Sequence, residues 1–245
     1  MEVTLFAEKI FTVGNFPITN TLITTWLTMV VVVTLAFIAT RKVSLVPSLA
    51  QSIAEVVIDT IYNLTLSLAD EKRAKKFLPF VATFFIYIIV ANYLGLLPGF
   101  STVGFFEHHG EEKTLIPLLR SINSDLNVTL ALALISVSIT HYYSISTLGI
   151  FKYLGRYISL NPVNLFVGLL EIVAEFTKIL SLSFRLFGNV FAGEALLLTI
   201  SSMAAFILPL PFMFLEIIVG FVQAAIFMML TLVFMVILTD KQAVH

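Results

Sequence analysis

From Phe212 to Leu238 the chain runs through 27 residues with no proline and Glu216 as the one charge. About 20 apolar residues already cross the hydrocarbon core of a bilayer, so this stretch can only be a membrane helix. Similar runs recur at 21–39, 77–97 and 126–145, and residues 163–208 form a longer one. Composition agrees. Hydrophobic residues make up 59% of the chain and charged residues 12%, against about 25% charged in a soluble domain. A soluble core lacks the charge to stay in water, and a disordered chain would not carry this much apolar area. Absence of cysteine excludes disulfide frameworks, Fe–S clusters and thiolate metal sites. Net charge is −1 with no basic run, which excludes a nucleic-acid surface.

The reading is therefore an all-α, polytopic membrane protein forming a single domain over residues 1–245, with about five membrane helices. Residues 48–70 differ from the spans. Ile53, Val57, Ile61, Leu64 and Leu68 recur at helical spacing, opposite Gln51, Glu55, Asp59 and Asn63. That pattern predicts an amphipathic interfacial helix, on the membrane or against a partner. A charged cluster, 70–76, follows it, and the span at 77–97 then carries Pro79 in its first turn. Residues 98–124 read as a polar loop.

The 46 residues of 163–208 contain no proline. As one helix they would be about 69 Å long at 1.5 Å per residue, against a hydrocarbon core of about 30 Å. They are two joined spans or one very oblique helix. Loop charge decides between these. Residues 40–77, 146–160 and the C-terminus carry nine Lys/Arg, and the alternate side, 1–20 and 98–125, carries three. The bias puts the N-terminus outside and the C-terminus in the cytoplasm, which requires an odd number of crossings. Residues 163–208 then cross once.

Glu171, Glu175, Lys178, Arg185, Glu194 and Glu216 lie inside these membrane-length segments. Each charge costs about 2.5–3.5 kcal/mol at a helix centre on insertion scales, so the six must pair, neutralise or face water. Ion pairs that merely join helices would explain one or two. Six in the last third of the chain point to an ion path. Glu171, Glu175, Lys178, Leu182, Arg185 and Asn189 step by 4, 3, 4, 3 and 4, forming one stripe of one helix. Glu175 and Lys178 can pair at i, i+3, which leaves Arg185 without an acidic neighbour on its helix. Glu194 falls about 180° round from Arg185. Glu216, Gly220, Gln223 and Phe227 share a stripe of the last span. Arg cannot give up its proton, so Arg185 is a fixed cation suited to a carboxylate on a membrane-embedded partner.

Several runs resemble the subunit a family of F-type ATP synthases, in particular its bacterial members. They are Leu180-Ser-Leu-Ser-Phe-Arg-Leu-Phe-Gly-Asn-Val-Phe-Ala-Gly-Glu194, Asp125-Leu-Asn-Val-Thr-Leu-Ala-Leu-Ala-Leu134, Asn92-Tyr-Leu-Gly-Leu-Leu-Pro98 and Gln223-Ala-Ala-Ile-Phe-Met-Met-Leu-Thr-Leu232. The resemblance covers residues 77 to 238. It implies a non-catalytic, proton-translocating stator subunit with two offset half-channels, in a bacterial inner or plasma membrane. Its implied partners are a ring of c subunits, b-type stator subunits, the rest of the synthase and the lipid bilayer. It implies two long, steeply tilted helices, one of them 163–208. Arg185 matches the essential arginine facing the ring, and Asn189 the asparagine one turn on. Glu194, Glu216 and Gln223 match the outer half-channel. Glu171 matches an acidic position of the inner half-channel, where Glu175 also falls, and Lys178 a basic accessory position. Some bacterial members pair a glutamate at the Glu194 position with a histidine at the Glu216 position, whereas both are Glu here.

No cofactor is implied. The chain has no G-x-x-x-x-G-K-[ST] loop, so nucleotide chemistry lies elsewhere. His108, His109, Glu111 and Glu112 read as a solvated loop, since their spacing fixes no coordination geometry. His141, near the inner end of the third span, reads as a hydrogen-bonded interfacial residue rather than a relay. A secondary ion-coupled transporter is the alternative class, and it predicts repeated halves with broken helices. A non-conducting scaffold would not need Glu194, Glu216 and Gln223 beside Arg185.

Overall fold

The structure, a computed structural model, describes residues 7–14, 16–97, 99–100, 103–109, 112–157, 162–203 and 207–240. Strands β1 (Lys9–Val13) and β2 (Phe16–Thr19) form an antiparallel hairpin. Thr19 caps helix α1 (Asn20–Thr40) by accepting from the Leu22 amide at 3.3 Å. Helix α2 (Leu49–Leu68) starts on the Ser48 cap. It buries Ile61 and Thr65 and exposes Glu55, Asp59 and Asn63, while Ile53, Leu64 and Leu68 also remain exposed.

Helix α3 (Glu71–Gly95) begins inside the charged cluster rather than at residue 77. Asp70 accepts from the Arg73 amide, and Lys75 Nζ donates to Glu71 Oε1 at 2.6 Å. The cap and the i, i+4 pair therefore start the helix before the apolar run does. Pro79 consequently sits inside the helix and not in its first turn.

The segment whose composition reads as a polar loop is more structured than that. Strands β3 (Gly104–His109) and β4 (Glu112–Pro117) form a second hairpin, pairing His109 with Glu112 across it. Glu111 lies outside the described residues. A 3-10 turn, Ile122–Ser124, follows. Residues 120–125 are buried, because this stretch folds back against α1, α3 and α6 instead of into solvent. The Arg120 amide donates to Thr24 Oγ1 at 3.2 Å, and Asn20 Nδ2 donates to the Pro117 carbonyl at 3.3 Å.

Asp125 caps α4 (Leu126–Leu148), its carboxylate accepting from the Asn127 amide at 2.9 Å. The short helix α5 (Ile150–Tyr157) turns Ile150, Phe151 and Leu154 outward. Helix α6 (Pro162–Met203) is continuous over 42 residues, and α7 (Pro209–Thr239) over 31, with Pro209 at its first position. At 1.5 Å per residue these are about 63 and 47 Å long. Both exceed the hydrocarbon core of about 30 Å, so both must run obliquely to keep their exposed apolar faces in lipid. The chain is a multi-pass membrane protein. Helices α1, α3, α4 and α7 are each long and apolar enough to cross; α6 carries the charges.

Helices α3, α4, α6 and α7 enclose the core. One apolar cluster joins Phe84 and Ile88 of α3, Ala133 of α4, Leu182, Leu186 and Val190 of α6, and Ala224 and Phe227 of α7. Thr129 and Ser183 hydroxyls meet at 3.1 Å, and Ser136 and Thr231 at 2.8 Å. Small side chains that satisfy each other let these helices approach closely without water.

Candidate proton path

Each end of α6 builds a polar cluster, and the middle of the helix is mostly apolar on its inward side, where the buried Ser183 hydroxyl is bonded to Thr129. Toward the C-terminal end, Gly193 faces α7. A Cβ at this position would overlap the Glu216 carboxyl, so glycine is what lets that carboxyl lie against the α6 backbone, next to Glu194. Glu194 and Glu216 line one cavity of about 190 Å³ together with Asn92, Ser121, Asn189 and Gln223. Two carboxyls 22 residues apart in the chain thus come from consecutive helices to a shared space.

The cavity wall is held by amides. Asn189 Nδ2 donates to Gln223 Oε1 at 2.8 Å. Asn123 Nδ2 donates to Asn92 Oδ1 at 2.7 Å, and Asn92 Nδ2 donates to the Gly220 carbonyl at 3.1 Å. Among the described residues, the buried Glu194 Oε2 and Asn123 Oδ1 find no hydrogen-bond partner. Buried polar atoms in such a position are normally satisfied by water, and the cavity has room for several molecules.

Toward the N-terminal end of α6, the charges pair. Lys178 Nζ sits 2.6 Å from Glu175 Oε1 and 4.6 Å from the centroid of the Phe234 ring. The Arg156 guanidinium of α5 pairs with Glu171. His141 of α4 places Nε2 3.6 Å from Glu175 Oε2, and its Nδ1 is 3.0 Å from the Tyr153 hydroxyl of α5. Glycine again permits a close approach: a Cβ at Gly168 would overlap the Tyr157 carbonyl, so α5 lies directly on α6.

Arg185 belongs to neither cluster. It is exposed, and its Nη2 lies 3.3 Å from Ser181 Oγ. Among the described residues no carboxylate pairs with it. Helix α6 also presents Phe176, Leu180 and Phe184 outward, and α7 presents Phe214, Ile218 and Phe221. A guanidinium on such a face is an unsolved problem for one chain in lipid.

The helical stripe from Glu171 to Asn189 is thus split. Leu182 is fully inside, Glu175 is buried, and Arg185 and Asn189 point outward. Asn189 reaches the second polar system by bonding Gln223 rather than standing with Arg185. Glu175 and Glu194 lie about 28 Å apart along α6, nearly the thickness of the hydrocarbon core. Between them Leu182, Leu186, Phe84, Ile88 and Phe227 seal the interior. Asn92, Ser121 and Asn123 at one end, and His141, Tyr153 and Arg156 at the other, carry no charge stripe that marks them in sequence. Asn92 stands within a recognisable run, but only the helix crossing gives it a partner.

The model of the ATP synthase A chain family matches residues 22–236. The chain is 37% identical over 224 residues to ATP synthase subunit a 1 of Hahella chejuensis (strain KCTC 2396), covering 91% of this chain and 85% of that protein. It is 33% identical over 229 residues to ATP synthase subunit a of Legionella pneumophila subsp. pneumophila (strain Philadelphia 1), covering 93% and 90%. It is 31% identical over 226 residues to ATP synthase subunit a of Moorella thermoacetica (strain ATCC 39073), covering 92% and 93%.

Proposed function

The chain belongs to the ATP synthase A chain family, whose members are proton-translocating stator subunits of the synthase's membrane sector, and from that premise we propose a role for each of its polar clusters. The cavity of Glu194, Glu216, Asn189 and Gln223 is the half-channel open to the outside. The cluster of Glu171, Glu175 and Lys178 is the half-channel open to the cytoplasm. Arg185 faces a ring of c subunits, each carrying one carboxylate in the membrane.

A proton from outside reaches Glu194 and Glu216 and passes along the Asn189–Gln223 pair to a ring carboxylate. The neutral carboxyl can then move through lipid, which its charged form cannot do cheaply. After nearly a full turn of the ring it meets the inner half-channel and gives its proton toward Glu175. The anion it leaves is drawn to Arg185. A proton cannot short-circuit this route inside the bundle, because the apolar seal separates the two clusters. It cannot short-circuit it on the outer face either, because it would have to pass a fixed cation. One charge moved through 100 mV is worth about 2.3 kcal/mol, so several protons must pass for each ATP. The basic-residue bias puts the N-terminus outside and the C-terminus in the cytoplasm. The exposed acidic side of α2, Glu55 and Asp59, then faces the cytoplasm, where b-type stator subunits meet it.

The observation that carries this reading is Arg185, a permanent cation on an apolar face with no carboxylate paired to it among the described residues. The test is a cross-link. The chain has no cysteine, so a single Phe184→Cys substitution can carry a photoreactive group in the assembled complex. The expected product joins this chain to a small two-helix subunit bearing one intramembrane carboxylate. Adducts with lipid alone, and none with such a subunit, would contradict it.

A further inference from the structure

Glu171 is occupied by the Arg156 guanidinium, and Oε1 of Glu175 by Lys178. That leaves Oε2 of Glu175 as the carboxylate oxygen of the inner cluster that faces another titratable side chain, the His141 imidazole at 3.6 Å. The far nitrogen of the same imidazole meets the Tyr153 hydroxyl at 3.0 Å. We propose that His141 is a proton-transferring residue of the inner half-channel, with Tyr153 as its positioning residue. This rests on the assignment of the inner half-channel made above.

The geometry gives each atom a task. Tyr153 accepts from Nδ1–H, which fixes the tautomer whose Nε2 lone pair faces Glu175. A proton arriving on Glu175 Oε2 transfers to Nε2 and forms an imidazolium. The Nδ1 proton then departs past Tyr153 to water, so one proton enters the imidazole and one leaves it. Exchange with water, the neutral imidazole losing the Nε2 proton and gaining one at Nδ1, restores the starting tautomer. The 3.6 Å gap is longer than a hydrogen bond, as resting proton-transfer contacts often are before the reacting group arrives. Tyr153 itself is held in place by α5, which the Arg156–Glu171 pair and the Gly168–Tyr157 contact fix to α6. Imidazole is the side chain whose ordinary titration range spans neutral pH, which suits release into cytoplasm. The groups facing it are Glu171, Glu175 and Lys178 of α6 and Tyr153 and Arg156 of α5. From α7, Phe234 covers Lys178.

The experiment uses the whole complex in sealed vesicles, synthesising ATP under an imposed and constant driving force while the pH on the cytoplasmic side is varied. The wild-type rate should fall as that pH drops through the imidazole range, because an imidazolium that stays charged accepts no further proton. His141→Gln, which keeps hydrogen-bonding groups but cannot titrate, should lower the rate about a hundredfold, the lower end of what a positioned proton-transferring group contributes. It should also flatten the pH profile. Free imidazole should restore part of the rate in His141→Ala. Tyr153→Phe should give a smaller loss with a displaced profile. An unchanged rate and profile in His141→Gln would overturn the proposal. Should that variant fail to assemble, an undisplaced profile in Tyr153→Phe would overturn it instead. Arg185→Ala separates the two readings. If that variant loses coupling while His141→Gln behaves as wild type, only the role of His141 falls. If Arg185→Ala stays coupled, the parent reading falls and this one with it.

Discussion

Replacing Arg185 by Ala should abolish ATP-driven proton pumping and ATP synthesis while leaving the complex assembled. The loss should be complete within detection, because two functions disappear together. The cation that draws the deprotonated ring carboxylate is gone, and so is the charge that keeps a proton from slipping between the half-channels. Folding should not suffer. The side chain is exposed and its contact in the chain is with Ser181 Oγ at 3.3 Å. On insertion scales a charge at a helix centre costs about 2.5–3.5 kcal/mol, so its removal does not penalise membrane insertion of α6. Arg185→Lys should recover little, since ammonium lacks the planar fork and can lose its proton when desolvated. The check is pumping and synthesis in vesicles whose complement of complex is matched by quantitative blotting. Near-normal coupled pumping by an assembled Arg185→Ala complex would contradict the role given to this residue.

A second large effect is expected from the smallest possible change. Gly193→Ala should lower pumping at least about tenfold, an effective loss of about 1.4 kcal/mol in transition-state terms, without destabilising the subunit. The added methyl would occupy the place of the Glu216 carboxyl, which is the end of a flexible side chain and can swing away. Ala is also favoured over Gly in a helix interior by about 0.8–1.0 kcal/mol. Stability is therefore unchanged or raised, while the cavity shared by Glu194 and Glu216 is distorted. A one-carbon-shorter acid should relieve the overlap, so Glu216→Asp in the Gly193→Ala background should recover part of the rate. Normal pumping by Gly193→Ala would mean that the position of the Glu216 carboxyl does not matter to the outer half-channel.

What can be read from the sequence, and what cannot, divides along a physical line. Features within one element are legible. The i, i+3 pairing of Glu175 with Lys178, the isolation of Arg185 and the excessive length of α6 follow from helical geometry alone. Features that depend on how helices cross are not. Asn189 reads as part of the Arg185 stripe until α7 places Gln223 beside it. Glu171 reads as open until α5 brings Arg156 across. His141 and Tyr153 are 12 residues apart on different helices, and no periodicity links them. The buried stretch 120–125 is hidden for another reason. Polar residues read as solvated, yet Arg120, Asn123 and Ser124 are buried because their partners are buried too: Arg120 Nε donates to Ser124 Oγ at 3.2 Å, the Arg120 amide donates to Thr24 of α1, and Asn123 Nδ2 donates to Asn92 of α3. The early start of α3 comes from capping and charge pairing, which an apolar-run search ignores.

The central claim is that two aqueous cavities open to opposite sides of the membrane and meet nowhere inside this chain. Because the chain has no cysteine, thiol reactivity measures this directly. Met213→Cys places a thiol in the wall of the Glu194–Glu216 cavity, and Lys178→Cys places one in the inner cluster. In the intact complex, a membrane-impermeant thiosulfonate should modify the Met213→Cys variant from the outside only and the Lys178→Cys variant from the cytoplasmic side only. Modification of both variants from the same side would show one continuous aqueous route and contradict the account.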